Sequence, residues 1–111
     1  MNKKQIKLNA LQKKTLALFQ ELARHPESGS FDAESGEVTV AFLPRAHGDH
    51  VHIGDYVVSA RDASGFENEK VWTALERKGL IRSAFPVQVV LTREGLAYET
   101  DLFEQFEVSD H

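Results

Sequence analysis

Three of the five histidines of this chain fall in one short run, His47-Gly48-Asp49-His50-Val51-His52-Ile53-Gly54-Asp55. Side chains alternate along an extended chain, so His50 and His52 share one face, as two imidazole ligands of a metal ion would. His47 with Asp55 or Asp49 would complete a nitrogen-and-oxygen set of borderline hardness, suited to zinc or nickel. Such a cluster could also sense pH, because imidazoles that titrate near pH 6.5 repel one another once protonated. A plain hairpin with its turn at His47-Gly48-Asp49 and solvent-facing histidines accounts for the same residues without a ligand.

Other chemistry is poorly represented, and no enzyme activity is expected. The chain has no cysteine, which removes disulfides, thiolate metal sites and cysteine nucleophiles. Neither glycine-rich phosphate-binding pattern occurs. No motif places a serine on a nucleophile elbow. Glu67 and Glu69 stand two apart, a spacing that points them away from a common site on a helix. Trp72, the single tryptophan, falls on the apolar side of its helix and reads as core.

Charge is unevenly spread over the 111 residues, whose formal sum is −4. Residues 1–14 carry five lysines and no acid, whereas residues 99–111 carry five acids and no lysine or arginine. The two ends could attract one another within a chain or across a dimer, or simply be solvated helix faces. No apolar run approaches a membrane span, and the start Met1-Asn2-Lys3-Lys4 lacks the apolar core of a signal peptide. A cytoplasmic bacterial protein of one domain is therefore the expectation.

The elements that must carry these residues can be read from periodicity. Leu8, Leu11, Leu18 and Leu22 recur at helical spacing and predict a helix over 5–25, stopped by Pro26. A polar, glycine-rich loop follows. Residues 37–60 read as a β-hairpin element, with a strand at 37–43 pairing with 50–60. The stretch 53–63 fits a short helix nearly as well, since Ile53, Tyr56, Val57 and Ala60 lie at helical spacing. Residues 64–92 predict a helix ending at Gly79 followed by a hairpin around Ala84-Phe85-Pro86, and Thr92 caps a last helix over 93–106.

Ala74-Leu75-Glu76-Arg77-Lys78-Gly79-Leu80-Ile81 followed by Leu91-Thr92-Arg93-Glu94-Gly95-Leu96-Ala97-Tyr98 resembles the helix-plus-wing segment of bacterial winged-helix proteins, many of which bind DNA. The resemblance implies an α+β fold in the order helix, β-hairpin, helix, β-hairpin (wing), helix. It implies that the helix before the wing enters the major groove. On this chain, Asn68, Lys70, Thr73, Arg77, Lys78 and Arg82 would then meet duplex DNA, with Asn68 beside a base. The helix opens with Glu67 and Glu69, and the wing tip has no basic residue, so the contacts expected are weak and non-specific. A helix-turn-helix also needs a second helix, which residues 53–63 would supply. The last helix often serves dimerisation in this family, which assigns Leu96, Leu102, Phe103 and Phe106 to a homodimer interface. The function expected is a small DNA-associated regulator of transcription. The alternatives are a protein-binding adaptor on the same scaffold and a metal-binding domain built on the histidines.

Overall fold

The computed structural model describes residues 6–41, 43–46 and 48–102, and the backbone of 107–108. Helix α1 spans Ala10–Ala23, shorter than the expected 5–25. Asn9 decides where it starts. Its Oδ1 accepts from the Gln12 N–H at 2.8 Å, while Gln12 Oε1 accepts from the Asn9 N–H at 3.1 Å. This reciprocal capping box satisfies two donors that the first turn otherwise leaves orphaned. Leu16, Leu18, Phe19 and Leu22 are buried on α1, and the helix packs across the sheet that follows.

The segment expected as a polar loop is instead half a hairpin. Strand β1 (Gly29–Asp32) pairs antiparallel with β2 (Glu37–Val40), in register Gly29↔Val40 and Phe31↔Val38. A polar strand is tolerated here because β1 lies at a sheet edge, where solvent covers its outer side. On its other side β2 pairs with β6 (Gln88–Leu91), which in turn pairs with β5 (Ile81–Ala84), so the sheet order is β1-β2-β6-β5. Both edges of β2 are thus taken, and the expected pairing of 37–43 with 50–60 does not form. Residues 50–60 fold on themselves instead: β3 (His50–Ile53) and β4 (Tyr56–Ser59) make a tight hairpin around Gly54-Asp55. The short strand β7 (Glu107–Val108) adds to β4 as a third strand. The helical alternative for 53–63 is therefore not adopted. Beyond Ser59 the chain turns into a 3-10 segment at Ser64–Glu67.

Helix α2 (Glu69–Arg77) begins at Asn68, whose side chain accepts from the Lys70 N–H, and ends at Gly79, left-handed at φ 76°. It buries Val71, Trp72 and Leu75. Trp72 is wholly buried at the centre of an aromatic group. It meets Phe19 and Phe85 edge-on with centroids 5.2 and 5.0 Å away, and Phe19 stacks on Phe66. The indole N–H donates to the Gly65 carbonyl at 3.1 Å, so burying it leaves no unpaired donor. The hairpin β5–β6 lies where the sequence places the wing.

Helix α3 spans only Arg93–Ala97, not 93–106. Thr92 caps it as expected, with Oγ1 accepting from the Gly95 N–H at 3.0 Å. Gly95 seats the helix closely on β5's approach, since a Cβ there would lie 1.9 Å from the Leu80 carbonyl oxygen. Gln20 of α1 donates to the Gly95 and Tyr98 carbonyls at 2.8 and 2.7 Å. The chain is extended at Tyr98, whose hydroxyl donates to the Ile6 carbonyl. A helix continued past Ala97 would give up these long-range bonds and the burial of Thr100. The result is an α+β domain with antiparallel sheets. Among the described residues no helix is long and apolar enough to cross a membrane.

Candidate interaction face on helix α2

Burial of Val71, Trp72 and Leu75 turns the opposite face of α2 outward. Lys70, Thr73 and Arg77 stand at i, i+3 and i+7 on that face, one stripe along the helix. With Glu69 and Ala74 they line a shallow depression of about 340 Å³. Three of the six residues expected to meet DNA are thus gathered on one exposed surface.

The other three are engaged inside the molecule. The Asn68 side-chain Oδ1 accepts from the Lys70 N–H at 3.1 Å as the helix cap, so it is unavailable for a bidentate grip on adenine. Lys78 Nζ donates to the Lys7 carbonyl at 2.7 Å and ties the segment before α1 to the end of α2. Arg82 pairs with Glu37 across the outer side of the sheet. Glu76, also exposed, accepts from the Ser83 N–H at 3.0 Å and holds the first strand of the wing against α2. What remains on the stripe is two cations with Glu69 beside them.

The turn of the β5–β6 hairpin points its aromatic inward, because Phe85 packs on Trp72. Pro86 and Val87 stay outside, Val87 being 69 % exposed. Between them and Leu43, Pro44, Arg45, Phe66 and Glu67 lies an open cleft of about 620 Å³ with a mixed apolar and charged lining.

The residues proposed for zinc or nickel are divided by the fold. Val51 and Ile53 of β3 are buried, so His50 and His52 point the other way, with ring centroids 5.1 Å apart. Asp55, in the turn, reaches the α1 side of the hairpin and pairs with Arg24 at 2.9 Å. It therefore does not join His50 and His52 around one point. His47 lies outside the described residues. Of the proposed dimer residues, Leu96 packs against the chain's own core and Leu102 is half-buried, while Phe103 and Phe106 lie outside the described residues.

Sequence reasoning missed Glu21, Arg24 and His25, to which Asp55 is joined. The Glu21 side chain is 1 % exposed, and burial by itself would raise its pKa. Hydrogen bonds from Arg24, the Asp55 N–H and His25 outweigh that and hold it below the usual carboxylate range. The signal was present in the sequence: Glu21 interrupts the apolar run Leu18, Phe19, Leu22, and a charge on a buried face requires a partner. Compared with family models, curated proteins and solved structures, the chain matches none of them.

Proposed function

We propose that the chain is a winged-helix-like, DNA-associated module that touches the duplex backbone through the outer face of α2, without reading bases. Two features support the scaffold. The β1–β2 hairpin follows α1, and its second strand pairs with β6, which pairs with β5, while α2 leads directly into β5. That is the arrangement in which the helix before a wing lies free to enter a groove. Residues 53–63, expected to supply the other helix of a helix-turn-helix, form the β3–β4 hairpin and a turn instead, so the reading rests on α2 and the β5–β6 hairpin alone.

The observation that carries the reading is the outward stripe of Lys70, Thr73 and Arg77, set beside the wing and away from the core. Two cations and one hydroxyl suit phosphate oxygens, and the Asn68 cap removes the one residue chosen for base recognition. A homodimer would double the phosphate contacts, and we read the chain as one on the same footing.

Titration of labelled mixed-sequence duplex at rising salt tests the proposal. Two phosphate contacts give a monomer a slope of log affinity on log salt near −2, about a tenfold loss between 50 and 200 mM, and the four contacts of a homodimer a slope near −4, about a hundredfold loss. The double variant Lys70→Glu, Arg77→Glu should abolish that binding while changing stability by no more than about 0.5 kcal/mol. Absence of binding at low salt, or affinity indifferent to salt, overturns the reading.

The cleft beside Val87 favours a second reading, an adaptor that binds a protein segment there. Photocrosslinking from position 87 separates the two: adducts with protein at 87 and none with DNA at 73 would favour the adaptor.

A further inference from the structure

The tip of the β3–β4 hairpin rests on the last turn of α1 through Glu21, Arg24, His25 and Asp55. Glu21 Oε2 accepts from the Asp55 N–H at 3.0 Å and lies 2.8 Å from His25 Nε2. His25 Nε2 is 3.7 Å from Asp55 Oδ2. Arg24 closes the group from outside, with Nε 2.5 Å from Glu21 Oε1 and a terminal nitrogen 2.9 Å from Asp55 Oδ2. Gly54 makes this approach possible. A Cβ at that position would lie 2.3 Å from Glu21 Oε2 and 2.8 Å from His25 Nε2.

We propose that Glu21, His25 and Asp55 form a binding site for a divalent transition-metal ion of the zinc class, which Arg24 closes when no ion is bound. Glu21 lies in the last turn of α1 and His25 just past the Arg24 cap, where the turning chain brings His25 Nε2 to 2.8 Å from Glu21 Oε2. Asp55 arrives from the second element, and its position is set by its own N–H on Glu21. One ligand atom from each of the three residues lies within 4.8 Å of the other two. Bonds of about 2.0–2.1 Å in tetrahedral zinc put ligand atoms roughly 3.3 Å apart. The observed 2.8 and 3.7 Å bracket that value, so an ion needs only small side-chain adjustments.

The surroundings also suit a metal. His25 Nδ1 faces Glu27 Oε1 at 3.4 Å, the carboxylate placement that orients a ligating imidazole and leaves Nε2 for the ion. Glu21 is buried and needs a positive partner, and an ion would supply the charge that Arg24 now supplies. Arg24 is 57 % exposed and can swing into water without moving the backbone. Two carboxylates and one imidazole leave a fourth position open to water. This site differs from the histidine cluster singled out in the sequence and shares only Asp55 with it. It does not depend on contact with DNA.

Zinc titration of the intact chain, followed by calorimetry and by histidine ring signals, tests the proposal. One ion per chain should bind, moving the His25 signals and leaving those of His50 and His52 in place. Arg24→Gln, which removes the competing cation, should tighten binding about tenfold, and adding Asp55→Asn to it should weaken binding at least tenfold. Asp55 and Arg24 are both more than half exposed, so these variants keep the core intact. Absence of saturable zinc binding by Arg24→Gln overturns the proposal. So does binding that shifts His50 and His52 instead of His25, or that is unchanged by Asp55→Asn.

Discussion

Two hairpins of this molecule, β5–β6 and β3–β4, are held by different physics. The β5–β6 hairpin is welded into the four-stranded sheet: β6 pairs on both sides, Val89 and Leu91 are fully buried, and Phe85 packs on Trp72. The hairpin β3–β4 stands apart in its own small sheet. It contributes Val51, Ile53 and Val58 to the core, but its tip is fastened to α1 through one ionic junction around Glu21. Apolar burial is indifferent to pH and tolerant of small shifts. A hydrogen-bonded charge demands a particular geometry and a particular protonation state. The β3–β4 hairpin is therefore the one whose seating solution conditions should loosen first.

The largest effect should come from removing the anchor of the β5–β6 hairpin. Trp72→Ala deletes the side chain that Phe19 and Phe85 pack on and leaves the Gly65 carbonyl without its indole donor. It should cost about 3–5 kcal/mol, read as a lower urea midpoint. A loss under about 1 kcal/mol would mean that the wing is not held by apolar burial.

A glycine pair sharpens the contrast at the other hairpin. Gly54 (φ 55°) and Gly48 (φ 64°) are both left-handed, but a Cβ at Gly48 meets nothing within 4 Å. Gly48→Ala should therefore cost only the backbone strain, about 1 kcal/mol. Gly54→Ala carries the same strain and also collides with Glu21 and His25, so it should cost about 2–3 kcal/mol. Equal losses would show that the tip is not seated on the junction.

A smaller effect is expected with acid. The folded state holds the Glu21 pKa below its unfolded value of about 4.3, so the unfolded chain binds the proton first. The stabilisation is whole at neutral pH. It declines as pH falls through about 4 and is lost below the folded pKa. Urea midpoints measured from pH 7 to 3 should fall more steeply for the native chain than for Arg24→Gln, which lacks the largest hydrogen-bond contribution to the shift.

Legibility differed sharply along the chain. The second half was readable because its signals are local: Gly79 ends α2, Thr92 caps α3, and alternating apolar residues mark β5 and β6. The first hairpin was not. Ser28-Gly29-Ser30-Phe31-Asp32 has the composition of a loop, and it becomes a strand because β2 presents an edge that needs a partner. The end of α3 was hidden for a related reason. Leu96 and Leu102 suggest a longer helix, but the carbonyls of Gly95 and Tyr98 are claimed by Gln20, some 75 residues earlier. At the candidate interaction face, the positions on α2 followed from helical spacing. The cap at Asn68 is likewise a local signal, whereas the internal ties of Lys78 and Arg82 were not legible, because each joins residues distant in sequence.

The sequence by itself determined the ends of α2, the cap of α3, the β5–β6 hairpin and the outward face of α2. Capping, glycine termini and apolar spacing act over a few residues and need no knowledge of the rest of the chain. Only the tertiary structure decided which strands pair, which cations stay unclaimed, and which histidine Asp55 meets. Those outcomes depend on which edges and charges remain unsatisfied after folding, and in this chain they put Asp55 beside Glu21 and His25 instead of His50 and His52.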